Sequence, residues 1–482
     1  GSEMCIRDRS NAAYELQAGD DTFGVSNAPS GGTLMQDYVD GGDGNDTIIT
    51  GGNLTTADKL AGGAGTDTLS VTNADLVAIQ GQTISEANTF NTTFTGIEKL
   101  LVANGMDTTG DSFDLGYLSG INYVTVGTLA NQAQTIAGFS SGGTLALTAA
   151  LTQNILPTVN AAATGASDAL TIALTASGDV DYLTATVANI ETLTIDVTEA
   201  TASTNSRTGT IGLTTTQTSA AAGGSGAAQT INVVGTEDLT IDTTVTVGTL
   251  NASGLSARLA TTPGLVMTGA AHTKAQTITG SSGADTIIGS TKGDTLDLGA
   301  GNDTVTPGTG ADTVTGGTGT DTVIYTGNAT AANIEGTGSG TSTGLVVNLG
   351  ATALSNANIL GTTTQSVSGG ITSVTEGQVA YLFGASAPTN STVVDTLTGI
   401  ENITLADGIN YVVGSTGNNT IIGGSGVDTI NPGNGIDTVR GGDGADVITI
   451  TETALNAKAD TCLLYTSPSP QDQRGSGLAG WA

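Results

Sequence analysis

Aspartates at a spacing of nine are the residues in this chain most able to do chemistry. From Gly280 five nonapeptides follow one another: GSSGADTII, GSTKGDTLD, LGAGNDTVT, PGTGADTVT and GGTGTDTVI. Their sixth positions are Asp285, Asp294, Asp303, Asp312 and Asp321. A second run of four begins at Gly414, with Asn419, Asp428, Asp437 and Asp446 at the same position. A looser cluster near the start holds GGDGNDTII and GGAGTDTLS, which contribute Asp46 and Asp67. Asp58 lies nine residues before Asp67, and Asp21 in GDDTF reads as a degenerate start.

Each unit pairs such a carboxylate with a glycine turn. The turn glycines are Gly280 and Gly283, then Gly299 and Gly301, Gly308 and Gly310, and Gly316, Gly317 and Gly319. In the second run they are Gly423, Gly424 and Gly426, then Gly433 and Gly435, and Gly441, Gly442 and Gly444. Glycine permits a positive φ, hence a tight turn that exposes its carbonyls. Carbonyl and carboxylate oxygens together suit a hard cation of high coordination number, calcium more than magnesium. A three-residue strand follows each turn, and its middle residue (Ile287, Leu296, Val305, Val314, Val323) points inward. Lys292 stands where a fourth-position glycine is expected, and Asn419 lacks the carboxylate. Those two loops are expected to bind weakly or not at all. Leu298, Pro307 and Pro432 replace the first glycine.

Composition narrows the classes. The 482 residues carry 11 basic and 44 acidic side chains, a net charge of −33. Phosphate would be repelled, so nucleic acid is an unsuitable partner, and so is an anionic membrane face. Aromatics make up 3% against 72 glycines, which favours thin repetitive β structure over a thick core. No apolar run has the length of a membrane span. The sequence shows no HExxH, GxSxG or Walker-type motif, and the one histidine, His272, lies in a polar stretch. The chain is therefore not expected to be an enzyme.

A fainter repeat reads GIEKLLV, NIETLTI, GTEDLTI and GIENITL, with Glu98, Glu191, Glu237 and Glu401. It is read as a recurring solenoid coil with glutamate on the solvated face. One short helix is expected over TNADLVAIQ, 72–80. The ends, 1–10 and 462–482, resemble translated adapter read-through. They hold Cys5, Cys462, Trp481, Arg7, Arg9 and Arg474 and are set aside from fold reasoning. The remaining segments are a degenerate repeat region over 11–100, a Thr/Ala-rich solenoid over 101–279, calcium blocks over 280–325 and 414–450, a β-rich segment over 326–413 and a tail over 451–461.

These nonapeptides resemble the RTX calcium-binding repeat family, and the Thr/Ala-rich remainder resembles bacterial surface-layer proteins that carry such repeats. The resemblance implies an all-β fold, a parallel β-roll or β-solenoid in which two nonapeptides make one coil. Repeats two apart then stack. Asp285, Asp303 and Asp321 share one edge and Asp294 and Asp312 the other, while Asp428 and Asp446 lie opposite Asn419 and Asp437. It also implies several bound Ca2+ ions, type I secretion and an extracellular place on a Gram-negative cell. Self-association, and cell-surface polysaccharide, are the partners it suggests. An adhesin, or the calcium-binding part of a secreted enzyme or toxin, are the alternative roles.

Overall fold

The computed structural model describes residues between 13 and 463, with stretches including 25–37, 82–89, 161–167, 199–207, 217–229, 326–341, 356–365, 384–393 and 451–460 outside the description. His272, Cys5, Trp481 and the arginines of the two ends also lie outside it. The chain divides into two units, Gly1–Arg258 and Leu259–Ala482.

In the first unit the strands alternate between sheets as the chain winds. One sheet runs in parallel through Thr22–Gly24, Thr47–Ile49, Thr68–Val71, Lys99–Val102, Tyr123–Val126 and Gly143–Leu147. It continues through Ala169–Leu174, Thr192–Val197, Thr230–Gly235 and Thr249–Leu255. The strands between them in sequence pair with one another, from Ser112–Asp114 through Gln134–Phe139, Ile155–Val159, Val180–Ala188 and Thr208–Thr216 to Asp238–Asp242. Parallel neighbours separated by one coil are the signature of a β-solenoid, so the fold is all-β as expected.

The second unit repeats the plan with shorter strands. Thr277–Thr279, Thr295–Asp297 and Thr313–Thr315 stack on one side, and Ala284–Ile288, Thr304–Thr306 and Thr322–Ile324 on the other. The register places Ile287 against Val305 and Val305 against Val323, so equivalent repeat positions lie over one another. The inward residues Ile287, Leu296, Val305, Val314 and Val323 are all buried, as are Ile421, Ile430 and Val439. Complete burial of each such side chain stabilises by about 1.5–3 kcal/mol. Small β-branched residues suit this interior because one layer of side chains fills it.

The two nonapeptide runs form one stack. Thr322–Ile324 pairs in parallel with Asn402–Thr404, which pairs with Thr420–Ile422 and through it with Thr438–Arg440. On the opposite side Thr313–Thr315 pairs with Val394–Thr398. An antiparallel excursion joins there: Gln378–Phe383 bridges Val394–Thr398 and Ser342–Asn348, and Ser342–Asn348 resumes parallel pairing with Tyr411–Val413. The excursion has its own small core of Val346, Leu354, Val374 and Ala380.

The expected helix forms at Asn73–Gln80 with Thr72 as its N-cap. Asp75 completes a reciprocal capping box, its Oδ2 accepting from Thr72 N at 2.8 Å. The same carboxylate accepts from Thr50 Oγ1 at 2.5 Å, Gly52 N at 3.0 Å and Leu54 N at 2.8 Å. Asp75 thus holds the 50–54 loop as well as the helix start. Asp75→Ala is expected to destabilise the first unit by about 3 kcal/mol, because several buried donors lose their acceptor at once. Thr72→Ala should cost only about 1 kcal/mol. Denaturant melts of the two variants check the ranking.

Candidate metal centre

Each sixth-position carboxylate faces its equivalent one coil away, because the nine-residue phase returns the chain to the same edge every 18 residues. Asp303 Oδ1 accepts from the Asp285 backbone N at 2.7 Å, and Asp321 Oδ1 from Asp303 N at 2.9 Å. On the other edge Asp312 Oδ1 accepts from Asp294 N at 2.8 Å. The same bond joins Asp46 N to Asp67 Oδ1 at 2.7 Å, Asn419 N to Asp437 Oδ1 at 2.8 Å and Asp428 N to Asp446 Oδ1 at 3.0 Å. The edges are therefore those that the resemblance implies. One oxygen of each carboxylate is committed to the ladder.

The other oxygen distinguishes the sites. Among the described residues, Oδ2 of Asp46, Asp67, Asp303, Asp321, Asp428 and Asp446 is buried with no hydrogen-bond partner. These six form three stacked pairs: Asp46 with Asp67, Asp303 with Asp321, and Asp428 with Asp446. In the same three pairs the third-position residues form isolated parallel bridges, Asp43 to Ala64, Ala300 to Thr318 and Ser425 to Asp443. An unpartnered buried carboxylate oxygen is costly and calls for a cation.

Burial raises Asp46, Asp67, Asp303, Asp321 and Asp428. Desolvation, then repulsion from Asp285 and Asp321, pushes Asp303 to about 7 against the lowering effect of the Asp285 N–H. Desolvation likewise pushes Asp428 to about 6, with Asp446 adding repulsion. Asp46, Asp67 and Asp321 are raised for the same leading reason.

Backbone carbonyls line the seam between paired turns. Gly317 and Gly319 have φ of +97° and +142°, and a Cβ on either would collide with the carbonyl oxygen of Gly299 or Gly301 in the turn below. A Cβ on Gly41 would meet both the Gly62 carbonyl and Asp46 Oδ2. Gly423 stands in the same relation to the Gly441 carbonyl and Asp428 Oδ2. Carbonyl oxygens and an orphaned carboxylate oxygen thus converge where only glycine leaves room. No group of three or more acidic, histidine or cysteine side chains suited to a metal occurs among the described residues. Main-chain carbonyls beside a pair of carboxylates are a donor set that fits calcium.

Asp58 also caps its own turn, accepting from Thr55 N at 2.7 Å and Thr55 Oγ1 at 3.1 Å. The expectation that the repeat glutamates sit on a solvated face is corrected. Glu98 Oε2 accepts from Asp67 N at 2.8 Å, Glu191 Oε2 from Asp168 N at 2.9 Å and Glu401 Oε2 from Asp321 N at 2.8 Å. Glu237 is buried. Glutamate takes the next rung of the ladder, its longer side chain spanning the same gap from a differently shaped coil.

Further rungs carry no plain mark in the sequence. Asp395, fully buried, accepts from Asp312 N at 3.0 Å and from the Tyr325 hydroxyl at 2.9 Å, and desolvation raises it to about 7. Asn410 and Gln276 hold sixth positions of degenerate nonapeptides, and their backbone N–H groups donate to Asp428 Oδ1 and Asp294 Oδ1 at 2.9 and 2.7 Å. The LADGINYVV frame could have revealed Asn410, since Gly408 has the fourth-position φ of +142°.

Comparison with known families agrees with this geometry. The family described as RTX calcium-binding nonapeptide repeat (4 copies) matches residues 32–53, 54–71, 279–314, 308–327, 406–439 and 431–449. No curated protein matched the chain in a sequence search. The matched segments contain all three carboxylate pairs, and the chain is thereby identified as one that carries RTX calcium-binding nonapeptide repeats in both of its structural units.

Proposed function

We infer that this is a secreted, extracellular structural protein in which calcium clamps the coils, and that copies of it assemble into a surface layer or matrix. The buried, unpartnered Oδ2 atoms of the three carboxylate pairs carry the calcium part of this reading. Calcium there would be held by Asp46 with Asp67, Asp303 with Asp321 and Asp428 with Asp446, together with carbonyls of the intervening turns. It would supply charge compensation and cross-link adjacent coils. Because the unfolded chain lacks the site, binding stabilises the folded chain by mass action. A chain exported unfolded would then fold where calcium is plentiful.

The structural part is supported by the placing of repeats in both units and by the solenoid character of the strands around them. No helix among the described residues is long and apolar enough to cross a membrane. Light scattering and negative-stain microscopy of the chain test assembly. Addition of calcium should produce sheets or large particles, and chelator should disperse them. A monomer of unchanging size in both conditions would overturn the structural reading.

A further inference from the structure

The nonapeptide turns with glycine or serine at the second position fall into two conformational kinds, and that residue separates them. Where it is glycine, as at Gly42, Gly63, Gly299, Gly317, Gly424 and Gly442, φ lies between +88° and +103°. The fourth-position glycines of those turns are left-handed too, between +133° and +150°. Three turns begin instead with Gly-Ser: those of Ser281, Ser290 and Ser415. Their fourth-position glycines, Gly283 and Gly417, do not take the left-handed conformation, and Lys292 holds that place in the third.

The serine completes a closed circuit. Ser281 N donates to Asp285 Oδ2 at 2.6 Å, and its hydroxyl donates to Oδ1 at 2.6 Å. The hydroxyl in turn accepts from Gly283 N at 3.1 Å. Ser290 does the same with Asp294, its backbone N bonding Oδ2 and its hydroxyl bonding Oδ1 at 2.8 Å while accepting from Lys292 N at 3.0 Å. Ser415 repeats it on Asn419 Oδ1, at 2.9 Å from N and 3.1 Å from Oγ, and accepts from Gly417 N at 3.0 Å. Asp285, Asp294 and Asn419 therefore have local donors where the paired glycine turns leave an orphaned oxygen. The irregularities at Lys292 and Asn419 both fall in serine turns. Without a left-handed fourth position a lysine is tolerated, and with two donors already in place an amide oxygen suffices.

Position in the stack gives these turns a role. The turns of Ser281 and Ser290 open the two edges of the first nonapeptide run, and that of Ser415 opens the second run. We propose that the second-position residue decides whether a turn takes calcium, and that the three serine turns are metal-independent coils beside which the calcium-dependent coils are laid. Ser281, Ser290 and Ser415 stand in for the cation by satisfying the sixth-position side chain. The idea rests on the calcium reading of the glycine turns.

Amide exchange of the whole chain, followed by mass spectrometry in chelator and in calcium, tests it. In chelator, 276–297 should exchange about tenfold more slowly than 298–324, a factor appropriate to hydrogen bonds with a charged acceptor. Calcium should slow 298–324 and leave 276–297 unchanged. In S281G/S290G the protection of 276–297 should become calcium-dependent. In S281A/S290A it should fall about tenfold in chelator. A wild-type 276–297 segment that needs calcium as 298–324 does would overturn the proposal. So would an S281G/S290G chain whose 276–297 segment keeps its protection in chelator. If 298–324 ignores calcium in the wild type, it is the calcium reading itself that fails, whatever the serine variants do.

Discussion

Asp303→Asn is expected to stabilise the second unit in chelator and to weaken it in calcium, a reversal of sign from one substitution. Asparagine keeps the Oδ1 that accepts the Asp285 backbone N–H, so the ladder survives. What changes is Oδ2, buried without a partner and charged. Without metal, the desolvation and repulsion that raise Asp303 to about 7 vanish with the charge. The gain is on the order of 2 kcal/mol at neutral pH, the full shift being discounted for water that reaches a thin coil. With calcium, the pair with Asp321 loses a carboxylate, and the calcium midpoint should rise by about tenfold. Thermal melts followed by circular dichroism in chelator and in excess calcium read both effects. A shift of the same sign in both solutions would show that Oδ2 faces no cation.

The legibility of this fold depends on what a one-dimensional period can record. Nine-residue spacing marks the equivalent side chains, and the resemblance to the RTX repeat, which implies two nonapeptides per coil, places Asp285, Asp303 and Asp321 on one edge. The inward Val305 and Val323 are readable from the alternation in the same triplets. The continuity of the two runs is not. The ladder passes from Asp312 to Asp395 over 83 residues and from Asp321 to Glu401 over 80, where its ordinary step is 18. A coil needs only a strand of the right register to continue the stack, and chain length between coils leaves no mark on the rung itself. The antiparallel strand Gln378–Phe383 breaks the period while preserving the pairing on either side.

The quality of individual sites is hidden for a different reason. Consensus departures suggest weak loops at Lys292 and Asn419, but the physical divide lies at the second position. There serine supplies two donors to the sixth side chain and removes the need for a positive φ two residues later. Scored one departure at a time, the sequence shows two unrelated defects. The hydrogen bonds show one alternative turn used three times. The glutamates are misread for want of the same information, since only the fold reveals that Glu401 accepts the bond that an aspartate accepts one coil earlier.

The pH dependence of stability should change sign with calcium. Asp303 and Asp428 have folded-state values of about 7 and about 6, raised from 3.8. A carboxyl raised on folding binds its proton more tightly in the folded state. Its contribution is fully present below the unfolded value and is lost as pH climbs through the folded one. In chelator the roll should therefore be most stable near pH 4 and lose stability up to about pH 7, the protons taking the place of the cation. In saturating calcium the order inverts. Calcium requires the ionised carboxylates, so acid competes with it and stability should rise over the same interval. Melting temperatures measured across this range, with and without calcium, should give slopes of opposite sign for the wild type. In a chain carrying Asp303→Asn and Asp428→Asn the slope in chelator should become shallower, because two of the groups responsible no longer titrate while Asp395, also raised to about 7, still does. Parallel slopes with and without calcium would mean that these carboxylates are not where the metal acts.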